Sequence, residues 1–177
     1  ALNLLMNGNV FLYYGEELGM KGSGKDENKR APMYWSKDEN AEGMCKGPAD
    51  MEDFQMKFDS LEEQQEDPDS IYNYVKQVIR IRSQNPAIAR GTTAYLEQYS
   101  GEQCFALTRS YEGSNLLLLG NTSAEAVSVD LTGLTVGGTT AEELVLLGEL
   151  YTGEETAERT GAEITLPAWS ILILGEE

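Results

Sequence analysis

The sequence contains no histidine, and that absence excludes more chemistry than any other feature of its composition. A Ser-His-Asp or Cys-His relay cannot be built within this chain, and most zinc-hydrolase sites, which rely on imidazole ligands, go with them. Cysteine is scarce as well. Cys45 and Cys104 lie far apart, without local metal-ligand spacing; they can join as a disulfide or stand free, and two unclustered thiols more often stand free. No stretch reaches the roughly 18 apolar residues of a membrane-crossing helix. Basic residues number 13 against 30 acidic, a formal charge of −17. Such a polyanion repels phosphate and anionic lipid headgroups, so neither a nucleic-acid nor a membrane partner is expected. Ala1-Leu2-Asn3-Leu4-Leu5-Met6 lacks a basic n-region and an initiator methionine. It reads as a chain entered part-way through a helix rather than as a signal peptide.

What is present is unevenly spread over the 177 residues, a length that suits one generous domain or two small ones and buries roughly 70% of its unfolded surface. Residues 1–91 hold 16 acidic and 11 basic side chains. Residues 92–177 hold 14 acidic ones against only Arg109 and Arg159, with no lysine. The change falls at Gly91 and predicts a domain boundary there. In the first part, Leu2, Leu5 and Met6 have helical spacing and are stopped by Asn7-Gly8. Val10-Phe11-Leu12-Tyr13-Tyr14 follows as an unbroken apolar run, the pattern of a strand covered on both faces. Residues 19–66 read as a long, glycine-rich, charged loop. Asp67 is placed to cap a helix with Pro68 in its first turn, and Ile71, Val75, Val78 and Ile79 form its apolar stripe until Asn85-Pro86 ends it. Beyond Gly91 the period shortens to 2. Thr93–Tyr99, Gln103–Tyr111, Asn115–Leu119, Ala126–Leu131, Glu143–Leu147, Glu163–Leu166 and Ser170–Leu174 are predicted strands, separated by turns such as Glu112-Gly113 and Gly137-Gly138. Six or seven short strands at this spacing indicate an antiparallel sandwich or barrel.

Several segments resemble a known family. Gly8-Asn9-Val10-Phe11-Leu12-Tyr13-Tyr14-Gly15-Glu16-Glu17 resembles the eighth barrel strand of the α-amylase family, glycoside hydrolase family 13, where the pattern is G-x-P-x-x-Y-x-G-x-E; Val10 stands where that family carries proline. Asp26-Glu27-Asn28-Lys29-Arg30-Ala31-Pro32-Met33-Tyr34-Trp35 is similar to its D-x-x-x-R-x-P-M-x-W loop. Asp67-Pro68 through Arg82, then Asn85-Pro86-Ala87, resembles its last barrel helix, and Leu166-Pro167 with Ser170 and Leu174 resembles the closing strand of its C-terminal domain. The resemblance implies an α/β piece, the last βα units of a (β/α)8 barrel over residues 1–91, followed over 92–177 by an all-β antiparallel, Greek-key-like sandwich.

The same resemblance implies which residues matter. The family's nucleophile, acid/base and stabilising carboxylates sit after earlier barrel strands, so no catalytic residue is expected in this chain. Glu16 and Glu17 are adjacent and point to opposite faces, which makes a poor facing pair for a retaining mechanism. Asp26 and Arg30 match residues that hydrogen-bond sugar hydroxyls on the non-reducing side of the cleavage point; on spacing alone they form a solvated i,i+4 ion pair worth little. Trp35 is a further substrate-binding candidate, as a stacking platform, or else an anchor for the loop. Glu17 and Tyr14 are expected to support neighbouring groups. Tyr95, Tyr99, Tyr111, Tyr151 and Trp169 read first as core or inter-domain packing and second as a sugar platform. No metal or cofactor is expected, since the acidic run from Glu142 to Glu158 matches no calcium loop.

The chain therefore reads as the C-terminal portion of a retaining α-glucan hydrolase, meeting α-glucan through the full-length enzyme and inactive alone. The rival reading is a non-catalytic carbohydrate-binding or assembly module. Exposed barrel surface predicts that residues 1–66 are partly rearranged or else pair with another copy, a route to self-association. Localisation is left open, a secreted and a cytoplasmic bacterial parent both being compatible with the sequence.

Overall fold

The structure, a computed structural model, describes residues 1–176. It resolves into two compact units, one of residues 1–10 with 78–177 and the other of residues 11–77.

The larger unit is built on antiparallel strands. β1 (Thr92–Tyr95), β2 (Cys104–Tyr111), β3 (Ser114–Asn121), β4 (Val127–Asp130), β5 (Thr135–Val136), β6 (Thr139–Thr140), β7 (Val145–Leu150), β8 (Glu158–Thr160), β9 (Glu163–Leu166) and β10 (Ile171–Gly175) follow in chain order. They form a five-stranded sheet in the order β1-β2-β3-β10-β7, a three-stranded sheet β4-β9-β8 and the hairpin β5-β6. One apolar core draws Ala106, Leu117, Leu119, Leu172 and Leu174 from the first sheet and Val129, Ile164 and Leu166 from the second. The opposite face of the large sheet is covered too: Leu116, Leu118, Ile171 and Ile173 are buried. The short helix α5 (Pro86–Arg90), with Ala87 and Ile88 fully buried, packs on β2 and β3. Ile81 lies so close to Gly148 of β7 that a Cβ there would stand 2.9 Å from its side chain. That is why β3 and β10 read as unbroken apolar runs rather than alternating ones, in a sheet that is antiparallel throughout.

Arg109 of β2 is 2% exposed. One Nη donates to Leu5 O at 3.2 Å and the other to the Thr93 hydroxyl. Arg82 donates to the carbonyls of Leu4 (2.8 Å), Met6 (2.6 Å) and Gly8 (2.5 Å). The two guanidiniums thus satisfy carbonyls left open where α1 (Leu2–Leu5) ends. Burial, then repulsion from Arg82, lowers the Arg109 pKa from its ordinary value.

The smaller unit contains α2 (Asp26–Lys29), α3 (Leu61–Glu66) and the start of α4 (Ile71–Gln84). Its interior is largely polar. Buried Gln64 donates to Leu18 O (3.0 Å) and Asp59 O (2.7 Å), accepts from Tyr72 N (3.1 Å), and its carbonyl accepts from Ser70 Oγ (2.6 Å). Side-chain hydrogen bonds to backbone here do what strand ladders do in the larger unit.

Three expectations need correction. The apolar run Val10–Tyr14 forms no strand, and Phe11 is 85% exposed. A strand exists only as part of a ladder, and among the described residues none pairs with this segment. The helix expected from Asp67 begins at Ile71. Asp67 instead accepts from Asp69 N at 3.0 Å, closing its own turn, and Ser70 Oγ accepts from Asn73 N at 3.2 Å in the capping position. Pro86 opens α5 rather than only ending α4. Both cysteines are free.

Candidate functional site

The segment after Tyr14 is shaped by Gly15, at φ +85°, a conformation glycine adopts without penalty. It turns the chain into the 3-10 turn Glu16–Leu18. Glu16 opens to solvent, whereas Glu17 Oε2 is buried with no hydrogen-bond partner; the two carboxylates do not face one another across a cleft. Tyr14 donates from its hydroxyl to Ala31 O at 3.0 Å, tying the Gly15 turn to the loop after α2. Partial desolvation of the hydroxyl, then the neighbouring Tyr13, raises the Tyr14 pKa; the two rings lie 4.7 Å apart.

α2 carries the sugar-binding candidates. Asp26 and Arg30 sit at the two ends of this single turn, with their side chains in solvent, and are not paired with each other. Asp26 Oδ1 meets Lys29 Nζ at 3.1 Å, Arg30 Nη2 meets Glu27 Oε1 at 3.5 Å, and Arg30 Nε donates to Asp26 O at 3.3 Å. Between them Asn28 points the other way and is 3% exposed. It donates to Ser23 O and to Glu52 Oε2, both at 2.8 Å, and accepts from Glu52 N at 3.0 Å. Buried Asn28 therefore seats the turn whose outer face presents Asp26 and Arg30.

Trp35 is exposed, but its backbone is held: the amides of Leu61 and Glu62, the unpaired first donors of α3, reach Tyr34 O (2.9 Å) and Trp35 O (3.2 Å). The start of α3 is closed by a capping box in which Ser60 Oγ lies 2.9 Å from Glu63 Oε2. A cleft of about 370 Å³ opens beside α2, lined by Tyr13, Tyr14, Glu16, Lys21, Asn28 and Lys29 among others. Tyr14 belongs to it; Asp26, Arg30, Trp35 and Glu17 do not. Among the described residues no group of three His, Cys, Asp or Glu side chains is placed to hold a metal ion, and no helix is long and apolar enough to cross a membrane. Asn28 and Gln64 were not singled out by the sequence reading. The Ser60-x-x-Glu63 signature was the available signal for α3.

These features belong to a known class. The family model described as alpha amylase, catalytic domain, matches residues 1–91, about half of the chain. The chain belongs to the alpha-amylase family. The solved structure of Eubacterium rectale Amy13B matches 99% of this chain and 33% of its own, with 43% identity and a TM-score of 0.92. Alpha-amylase 3 of Dictyoglomus thermophilum is 33% identical over 91 residues, 51% of this chain and 18% of its own. The alpha-amylase of Streptomyces lividans is 26% identical over 185 aligned residues, 98% of this chain and 18% of its own. The chain thus spans a third or less of the length of these relatives.

Proposed function

We propose that this chain is the C-terminal portion of a retaining α-amylase-type glycoside hydrolase acting on α-glucosidic bonds of starch-like glucans. Residues 1–91 are the last part of its (β/α)8 barrel and residues 92–177 its antiparallel β-sandwich. The observation that carries the reading is α2, where Asp26 and Arg30 are presented outward from one turn anchored by Asn28. A carboxylate accepts hydrogen bonds from two vicinal hydroxyls, and a guanidinium donates in a fixed fork. Together they hold a glucose unit on the non-reducing side of the bond to be cleaved, with Trp35 as a neighbouring ring face and Glu17 and Tyr14 supporting the turn.

The parent's reaction is a double displacement through a glycosyl-aspartate, by carboxylates that lie outside this chain. Alone, the chain supplies structural support and these donor-side subsite residues, and it does not cleave. Because the site residues act by binding, the experiment is kinetic. In the longer enzyme containing this segment, Asp26→Ala and Arg30→Ala each raise KM for maltooligosaccharides by about tenfold, since loss of a charged hydrogen bond is worth roughly 1.5 kcal/mol or more. Release of reducing sugar by the 177-residue chain, or unchanged KM in both variants, defeats the proposal.

A further inference from the structure

Among the described residues, Trp169 is one of two non-glycine residues with a left-handed backbone, at φ +51°, in the turn from β9 to β10; the other, Glu112, lies in the β2–β3 hairpin turn. For a bulky side chain this conformation is an outlier that persists only where the surroundings enforce it, and such outliers cluster at functional sites. The surroundings here do enforce it. Trp169 N donates to Ser123 O at 3.1 Å. Buried Ser170 donates from Oγ to Pro167 O at 2.7 Å. Buried Asn121 donates to Pro167 O (2.9 Å), Leu166 O (3.2 Å) and Glu125 O (2.7 Å), and its Oδ1 accepts from Ser123 N and Oγ at 2.9 and 2.8 Å. This rigid network holds up an indole that is 51% exposed. A lone exposed apolar residue needs no explanation. One held in a strained conformation by two buried polar side chains does.

We propose that Trp169 is the stacking platform of a second glucan-binding site, on the β-rich unit and built from other residues than the Asp26–Arg30 turn. The apolar face of a pyranose packs on an indole face, and its hydroxyls require neutral polar neighbours. The segment whose Ser123 carbonyl receives Trp169 N carries two hydroxyls, on Thr122 and Ser123; each already donates within the chain, Thr122 to the Gln103 carbonyl (3.2 Å) and Ser123 to Asn121 Oδ1, and keeps a lone pair to accept from a sugar hydroxyl. The charge of residues 92–177, with two basic side chains against 14 acidic, opposes any anionic ligand and is indifferent to a neutral glucan. The α-glucan class of ligand rests on the function proposed above; the platform itself rests on geometry.

The two tryptophans make the test internal. In the ¹⁵N-labelled 177-residue chain, Trp35 and Trp169 yield two indole N–H signals. Maltoheptaose shifts that of Trp169 saturably, with a midpoint on the order of 1 mM, as suits one ring face, while cellohexaose does not. Trp169→Gly, at a φ glycine favours, melts no lower than the parent chain yet no longer sediments with granular starch; Trp169→Phe sediments in part. In the longer enzyme Trp169→Gly leaves kcat/KM on maltotetraose unchanged and slows attack on granular starch. A Trp169 signal indifferent to maltoheptaose, or one that responds equally to cellohexaose, overturns the site and leaves the proposed activity standing. A longer enzyme that cleaves no α-glucan removes that activity whatever Trp169 does.

Discussion

Asn28 shows how much a single neutral amide can hold. Its three hydrogen bonds join residue 23, α2 and Glu52, and an aspartate of the same size keeps only the one accepted from Glu52 N. Asn28→Asp loses both Nδ2 donors and sets a second carboxylate against Glu52 Oε2. The expected cost is about 1–3 kcal/mol of local stability. Amide exchange at Glu52 reads it, with protection lost at neutral pH and partly recovered at pH low enough to protonate one of the pair. Equal protection in both proteins at neutral pH would show that the turn is held by other contacts. Nothing in the sequence marked this residue, because an asparagine in a run of charges looks like loop surface. Asp26 and Arg30 were legible only because their spacing fell within a recognisable loop. Arg109 illustrates the opposite failure. It was counted as one of two bases in an acidic half, yet it is buried, and its acceptor Leu5 O lies 104 positions away. No local pattern announces such a partner.

For whole elements, legibility follows the origin of each element's stability. β3 and β10 were readable as apolar runs, and β2 and β9 by their mixed or alternating pattern, each cut by turn residues. β8 was missed because Glu158-Arg159-Thr160 is exposed and shows no alternation, existing only through its ladder with β9. β5 and β6 are two residues each around Gly137-Gly138, too short for any period. Val10–Tyr14 erred in the other direction, an apolar run without a partner strand. α3 depends on its cap. Glu63 receives hydrogen bonds from Lys37 and from Ser60, which lower its pKa in that order, while Glu63 and Asp59 raise that of Lys37. A lowered carboxylate contributes stability that is full above its unfolded pKa and is lost as pH falls through the folded one. The raised lysine contributes fully below its unfolded pKa and loses that contribution as pH rises through the folded value. The order of α3 should therefore hold between the ordinary glutamate and lysine values and decline on both sides. Glu63→Gln keeps a capping-box side chain but removes the charge, so its Ser60 and Leu61 amide shifts should no longer move between pH 5 and 3. A matching acid transition in the variant would assign the pH response to another carboxylate.

Across the whole molecule, two forces of opposite sign act between copies. A formal charge of −17 keeps them apart, while Phe11, Leu12, Tyr13 and Tyr14 offer a contiguous exposed apolar run outside any strand ladder, the kind of surface through which chains pair. The balance is set by screening. Between about 0.02 M and about 0.5 M salt the Debye length falls from roughly 20 Å to roughly 4 Å, which removes the repulsion and leaves the apolar attraction intact. Self-association should therefore increase with ionic strength, the reverse of what a salt-bridged interface would show. Light scattering over a concentration series at both salt levels measures it directly: the mean mass rises above that of one chain at high salt, and Phe11→Asp, which places a charge at the most exposed position of the run, returns it to the monomer value. A mass that stays at one chain throughout would mean that the run is covered within the chain itself. A mass that falls with salt would place the contact on charged residues elsewhere.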